Sequence, residues 1–202
     1  MRNVVLVGFK RSPFTIANKG LLANVRPEDI LSQVINDLIK TTNINKDDIE
    51  DIIAGCAYPE GAQGYNIAKI VSFMTDMPEH VGGMTINRWC GSSMQAIHSA
   101  AGALSMDAGK VFICCGIESM SSVPNNGLNY SPHPDLLKDQ PNVYLSMGLT
   151  AENVASKFNI SRKEQQEFAI QSHSKAFIAQ SSNAFDEEIT VCLLYTSDAA
   201  DE

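Results

Sequence analysis

The sequence has few basic residues and no long apolar run, and each absence excludes a class of protein. Lysine and arginine total 15 against 23 aspartate and glutamate residues, which gives a formal net charge of −8. Because non-specific nucleic-acid binding needs a basic face, this balance argues against a nucleic-acid partner. The apolar runs are too short to cross a bilayer, so we expect no membrane span.

The cysteines are odd in number and lack the spacings typical of disulfide frameworks and zinc sites. There are five, two of them adjacent at Cys114 and Cys115, and the sequence contains no Cys-x-x-Cys motif. We therefore expect reduced cysteines, no metal site and a cytoplasmic location, where thiols stay reduced. The N-terminus enters an apolar stretch directly, without a signal-peptide pattern, which agrees with that expectation.

Alternating apolar runs and amphipathic stretches predict an α/β fold with a mostly parallel sheet covered by helices. The apolar runs typical of strands lie at residues 4–7, 49–57, 81–86 and 111–115. Helical patterns separate them, and the first begins at Pro27, a residue suited to the first turn of a helix. The helix after residue 90 is predicted to end near Gly109, a plausible C-cap.

The character of the chain changes after the fourth apolar run. Residues 117–147 are rich in proline, glycine, asparagine and serine, which predicts a long irregular excursion. Thr150 is predicted to cap a short helix, and Ser161 with Glu164 forms a capping box that begins a longer one. Residues 187–192 are predicted to start another strand.

Cys90 lies where a predicted strand ends and a predicted helix begins. The first amides of a helix have no partner within it and form its positive end, so they stabilise a thiolate or a substrate oxyanion. Gly91 and the two serines after it are small, which leaves room for a substrate beside the sulfur. The alternative is a buried, inert cysteine, which is the commoner situation. Because ligands bind beyond the carboxyl ends of parallel strands, the position favours a catalytic Cys90.

Four sequence motifs follow one another along the chain: residues 87–93 around Cys90, residues 116–120 at a strand end, residues 147–155 at a loop-to-helix junction, and residues 161–176 in the helix that the capping box begins. Together they resemble the thiolase family, in which the first is the nucleophile motif, and the resemblance covers nearly all of residues 1–191. Each motif alone is modestly specific, but the four in this order are highly specific. Residues 24–29, 64–68 and 92–95 are closer to degradative 3-ketoacyl-CoA thiolases than to biosynthetic acetoacetyl-CoA thiolases.

The resemblance implies an acetyl-CoA C-acyltransferase that cleaves 3-ketoacyl-CoA through an acyl-enzyme. Cys90 would attack the 3-keto carbon, acetyl-CoA would leave, and a second CoA would remove the shortened acyl group. Glu118 would support the site through a hydrogen bond, with a surface carboxylate as the alternative. Met147 would line the acyl tunnel, with ordinary packing as the alternative. Coenzyme A is then a substrate, and we expect no tightly bound cofactor.

The resemblance also implies a duplicated fold of which only the first half is present. The family's catalytic histidine and second cysteine are expected in the other half, and none of the four histidines here matches that motif. We place a thiolase N-terminal domain at 1–191, with 117–186 as its loop and helical excursion. Residues 192–202 are interpreted as an adapter-derived tail. The chain alone is expected to be inactive, and the parent enzyme to be a dimer or tetramer, with a β-oxidation subunit as a further candidate partner.

Alternatives to a degradative thiolase remain open on the sequence. A biosynthetic acetoacetyl-CoA thiolase would use the same nucleophile in the opposite direction. A condensing enzyme of the ketoacyl-synthase type also has a strand–cysteine–helix nucleophile, but the 147–155 signature argues against it. A non-enzymatic lipid-carrier or interaction module with this fold is the third alternative.

Overall fold

The computed structural model describes residues 3–192, which form two compact units. The first unit contains residues 3–128 and 188–192, and the second is Asn129–Glu187. Most of the predicted 117–186 excursion therefore lies in the second unit, whereas residues 117–128 belong to the first. The predicted tail at 192–202 lies, apart from Cys192, outside the described residues. Within the described part of the chain, no helix has the length and apolarity to cross a membrane.

Strands and helices alternate in the first unit, as the sequence predicts. In chain order the elements are α1 (Pro27–Thr42), β1 (Ile49–Gly55), α2 (Ile67–Met74), β2 (Gly82–Ile86), α3 (Ser92–Ser105) and β3 (Val111–Gly116). A short 3-10 turn, Gly61–Gln63, precedes α2. The second unit is built from α4 (Pro134–Asp139), α5 (Met147–Lys157) and α6 (Arg162–Ser181).

The three strands form one parallel sheet in the order β2-β1-β3. Gly55 pairs with Ile86 of β2 and with Gly116 of β3, so the three carboxyl ends finish at the same level. This topology confirms the predicted α/β fold. It also defines one edge of the sheet at which a ligand is expected to bind.

Apolar side chains of the central strand point alternately to the two faces of the sheet. Ile52 and Ala54 join a buried cluster with Leu31 and Ile35 of α1. Ile53 packs on the opposite face, in a cluster with Ala96 and Ala100 of α3. Because both faces of β1 are covered, its second half, residues 52–55, is entirely apolar and buried, as is typical of a buried parallel strand. The charged residues Glu50 and Asp51 lie near its start.

The predicted strand at residues 4–7 is wrong. These residues form no strand, and Val5, Leu6 and Val7 are 70–80% exposed. A strand requires a neighbour to complete its hydrogen-bonded ladder. Within residues 3–192, the three-stranded sheet does not extend to this segment. The apolar pattern of residues 4–7 is typical of a strand, but it does not show which other strand would pair with them.

Two helix boundaries differ from prediction, and one is confirmed. The helix α3 ends at Ser105, four residues before Gly109, with Met106 as its C-cap. The helix α5 is capped by Ser146, whose hydroxyl accepts a hydrogen bond from the Leu149 amide at 3.4 Å, so it begins three residues before Thr150. The capping box of Ser161 and Glu164 is present as predicted. At residues 187–192, the structure shows an isolated bridge between Arg11 and Ile189 rather than a strand.

Candidate active site

Two glycines at the carboxyl ends of the strands allow the start of α3 to lie directly against the sheet. A Cβ atom added at Gly55 would lie 2.3 Å from the carbonyl carbon of Ser92 and from the amide nitrogen of Ser93. One added at the paired residue Gly116 would lie 2.8 Å from Cβ of Ser93. Real Cβ atoms do not approach other atoms so closely. The first turn of α3 can therefore lie this close to the sheet only because residues 55 and 116 are glycines.

A tight turn of residues 87–91 connects β2 to α3 and carries Cys90. Trp89 has a left-handed backbone with φ of 48°, which costs about 1 kcal/mol or more for a bulky residue. Its amide donates to Oδ1 of Asn87 at 2.8 Å, and its carbonyl accepts from the Ser92 hydroxyl at 2.5 Å. The same hydroxyl accepts from the Arg88 amide at 2.8 Å. These bonds hold the strained residue immediately before the cysteine.

Cys90 is exposed at the start of α3, as the sequence predicts. Gly91 is the N-cap residue, and no side chain caps the helix. The Ser92 amide donates to the Trp89 carbonyl at 3.0 Å, which leaves the amides of Ser93 and Met94 without a partner within the helix. A Cβ atom added at Gly91 would make only ordinary contacts, the nearest with the carbonyl oxygen of Arg88 at 3.4 Å. Gly91 is thus not required by the backbone, and its small size leaves space beside the sulfur.

Glu118 lies just beyond β3 and joins the ends of two strands. Its Oε2 accepts from the Ala57 amide at 2.7 Å, and its Oε1 accepts from Nε2 of Gln63 at 2.8 Å. Ala57 in turn offers its carbonyl oxygen to Nδ2 of Asn87 at 2.8 Å. Both carboxylate oxygens are therefore engaged by the protein. Glu118 is nevertheless an exposed residue, and its supporting role in the site stays a prediction.

Gln63 is a buried residue of this network that the sequence analysis did not single out. Its side chain is fully buried, and its Nε2 donates to the Tyr58 carbonyl at 2.9 Å as well as to Glu118. Its Oε1 accepts from the amide of Ser119. The sequence did carry a signal for Gln63. It is a polar residue in a glycine-containing loop that follows β1, and such loops lie at the ligand-binding edge of a parallel sheet.

Proteins of a known family resemble this chain both in sequence and in fold. The family model for the thiolase N-terminal domain matches residues 4–200. The chain belongs to the thiolase family. It is 39% identical over 189 residues to a 3-ketoacyl-CoA thiolase of Bacillus subtilis, and 38% identical over 191 residues to one of Aeromonas salmonicida. Each match covers 94% of this chain but 48% and 49% of the relative, so the chain spans about half their length.

Solved thiolase structures resemble the chain over the same extent. An acetyl-CoA acetyltransferase of Bacillus anthracis matches with a TM-score of 0.81 and 31% identity, covering 94% of this chain and 50% of that one. A human mitochondrial 3-ketoacyl-CoA thiolase in complex with CoA matches with a TM-score of 0.77 and 26% identity, covering 90% and 49%. These matches confirm the predicted family and fold class.

The remaining cysteines of this thiolase domain have environments that suppress thiolate formation. Burial raises the pKa of Cys56 to about 12, and the nearby Glu118 charge adds to the effect. Burial likewise raises the pKa of Cys115 to about 12. The pKa values of Cys114 and Cys192 are also raised, mainly by burial. Among the five cysteines, Cys90 is the exposed one.

Met147 and the four histidines are exposed residues. Met147 is the first residue of α5 in the second unit, and 71% of it is exposed. Its role in lining a tunnel remains a prediction. The four histidines are all exposed: His80, His98, His133 and His173. That none belongs to the family's catalytic motif stays a prediction. Among residues 3–192, no three histidine, cysteine, aspartate or glutamate side chains are grouped so that they could hold a metal ion.

Proposed function

We propose that this chain is the nucleophile-bearing half of an acetyl-CoA C-acyltransferase that cleaves 3-ketoacyl-CoA, with Cys90 as the nucleophile. The observation that carries the proposal is the exposed thiol at the uncapped start of α3, above the carboxyl ends of three parallel strands. The names of the relatives support the substrate class, since they are 3-ketoacyl-CoA thiolases. The CoA complex of the human homologue supports coenzyme A as a ligand.

The chemistry begins with attack of the Cys90 thiolate on the 3-keto carbon of the substrate. The bond between C2 and C3 then breaks, and its electron pair stays on C2 as the enolate of acetyl-CoA, which takes up a proton. Cys90 retains the shortened acyl group as a thioester. The thiolate of a second CoA attacks that acyl carbon, and the Cys90 sulfur leaves as a thiolate. First-turn amides of α3 are suited to hold the negative oxygen in both steps.

Glu118 has a supporting role in this proposal, because both of its oxygens are engaged. Family resemblance assigns the proton transfers to a histidine and a second cysteine of the other half of the fold. Met147 is proposed to line the acyl tunnel. The proposal further places the enzyme in cytoplasmic β-oxidation as a dimer or tetramer. Large exposed apolar side chains on α6, including Phe168 and Phe177, suit a surface that a partner covers.

Alkylation is expected to distinguish Cys90 from the other four cysteines. At pH 8, iodoacetamide should modify Cys90 at least about 100-fold faster than Cys56 or Cys115, because a thiol with a pKa near 12 is only about 0.01% thiolate at that pH. Mass spectrometry of the digested protein measures the rate at each site. In urea all five should react at similar rates. Equal rates for Cys90 and Cys56 in the folded chain would contradict an activated nucleophile.

An acyl-enzyme on Cys90 is the direct test of the proposed reaction. Incubation with a medium-chain 3-ketoacyl-CoA should increase the mass of the Cys90 peptide by one shortened acyl group, and added CoA should remove it. The matched control, Cys90→Ala, should gain no mass. Acylation that persists in this control would refute the assignment of the nucleophile. Binding of acyl-CoA without any adduct would favour the lipid-carrier alternative.

A further inference from the structure

The side-chain amide of Asn87 bridges two points of the backbone at the ligand-binding edge of the sheet. Its Nδ2 donates to the carbonyl oxygen of Ala57, two residues beyond β1, at 2.8 Å. Its Oδ1 accepts from the amide of Trp89 at 2.8 Å. Asn87 itself directly follows β2. One side chain thus ties the end of the central strand to the residue that precedes Cys90.

The bridge continues beyond Ala57 through Glu118 to the buried side chain of Gln63. The amide of Ala57 donates to Glu118, and Glu118 accepts from the fully buried Gln63. Asn87 is therefore the last member of a continuous series of hydrogen bonds that begins in the core. The Ser92 hydroxyl acts only within the turn, on Arg88 and Trp89, so it cannot supply the link to β1.

We infer that Asn87 is a positioning residue for Cys90. It holds Trp89 in the left-handed conformation, and this conformation presents the Cys90 sulfur at the start of α3. The inference rests on the proposed function, in which Cys90 is the nucleophile. Strained backbone persists only where the surroundings fix it. The two bonds of Asn87 join this strained residue to the chain just beyond β1 through a single side chain. Asn87 acts through the turn and does not touch the reacting atoms.

Trp89 provides a spectroscopic readout of this turn. It is the single tryptophan of the chain, so tryptophan fluorescence reports on one site. Its ring lies 5.3 Å from the ring of Tyr58 in an edge-to-face arrangement, at 73°. If the bridge is lost, Trp89 should gain local motion on the nanosecond timescale, which lowers its fluorescence anisotropy.

The test compares Asn87→Ala with a matched asparagine variant elsewhere. Asn45→Ala is the control, because Asn45 is exposed and its Oδ1 likewise accepts from the amide two residues on, at 3.2 Å from Asp47. Two quantities are measured on the 202-residue chain. One is the rate of Cys90 alkylation by iodoacetamide at pH 7 in the folded chain, divided by the rate in urea. The other is the anisotropy of Trp89.

We expect a ratio above one in the unaltered chain and a two- to fivefold lower ratio in Asn87→Ala, the range expected when a charge loses a helix terminus. Trp89 anisotropy should fall in the same variant, and both quantities should be unchanged in Asn45→Ala. A ratio and an anisotropy unaffected by Asn87→Ala would overturn the inference while leaving the nucleophile intact. A ratio of one or less in the unaltered chain would overturn the proposed nucleophile. Should Asn87→Ala fail to fold, Asn87→Asp removes the donor to Ala57 at nearly constant size. A fall in the Trp89 anisotropy of this variant would support the inference, and an unchanged anisotropy would overturn it.

Discussion

Replacing Gly55 with alanine is expected to destabilise the first unit by about 3 kcal/mol, a large effect for the addition of one methyl group. The new Cβ atom would lie 2.3 Å from backbone atoms of both Ser92 and Ser93. Backbone atoms at the start of a packed helix cannot rotate away as the tip of a side chain can. The methyl group therefore has to lift the first turn of α3 from the sheet. Urea unfolding followed by circular dichroism measures the loss.

A matched control exists in the same helix. Gly102 lies within α3, and a Cβ atom added there would meet nothing within 4 Å. Gly102→Ala should therefore stabilise the chain by about 0.5–1 kcal/mol, since alanine is the better helix former. Opposite signs for the two substitutions are the expected result. If Gly55→Ala proved as stable as the unaltered chain, the close packing of α3 on β1 would be refuted.

Lifting the first turn of α3 would also move the turn that carries Cys90. Cys90 precedes the N-cap residue Gly91 by one position, so its location depends directly on where α3 begins. Gly55→Ala should thus slow the alkylation of Cys90, whereas Gly102→Ala should leave it unchanged. The close packing of α3 on Gly55 thus determines both the stability of the first unit and the position of Cys90.

The features that the sequence predicted are those determined by local pattern. The apolar runs of β1 and β3 predict a sheet covered on both faces, and Pro27 and the Ser161 capping box mark helix starts by their own chemistry. Cys90 was placed correctly because a strand-to-helix junction is visible in the sequence. The resemblance to thiolases then extended this local evidence to a proposed reaction.

The features that the sequence did not predict depend on residues distant in the chain. Whether residues 4–7 form a strand depends on a pairing partner, which their own pattern does not encode. Glycine at position 55 could mark a bulge or a turn as readily as a close approach to α3. At α5, Ser146 and Thr150 are both capable caps, and only the structure shows that Ser146 is used.

The hydrogen-bonded network around Glu118 could not be predicted from the sequence for the same reason. Glu118 was expected to support the site, but its partners Ala57 and Gln63 are 61 and 55 residues away in the chain. No local pattern connects a glutamine in a glycine-rich loop to the end of a strand so far along the sequence. The parallel topology creates this proximity because it brings the carboxyl ends of β1 and β3 together.

Gln63→Leu is expected to cost about 2 kcal/mol of stability, because it removes a fully buried amide that is hydrogen-bonded to three partly buried or exposed residues. The carbonyl of Tyr58, the carboxylate of Glu118 and the amide of Ser119 would each lose a partner. Urea unfolding measures the effect. Gln171→Leu, at an exposed position of α6, is the control and should change stability by no more than about 0.5 kcal/mol.

Gln63→Glu tests the same network through pH. At neutral pH this substitution sets a second carboxylate against Glu118, so repulsion and burial raise the pKa of the introduced carboxyl in the folded chain above its unfolded value. A raised folded pKa means that the folded state binds the proton more tightly, so the stability of the variant relative to the unaltered chain should increase as pH falls from about 8 to about 5. Protonation also restores a donor toward Glu118. A stability difference that stays constant over this pH range would show that Gln63 does not donate to the carboxylate in solution.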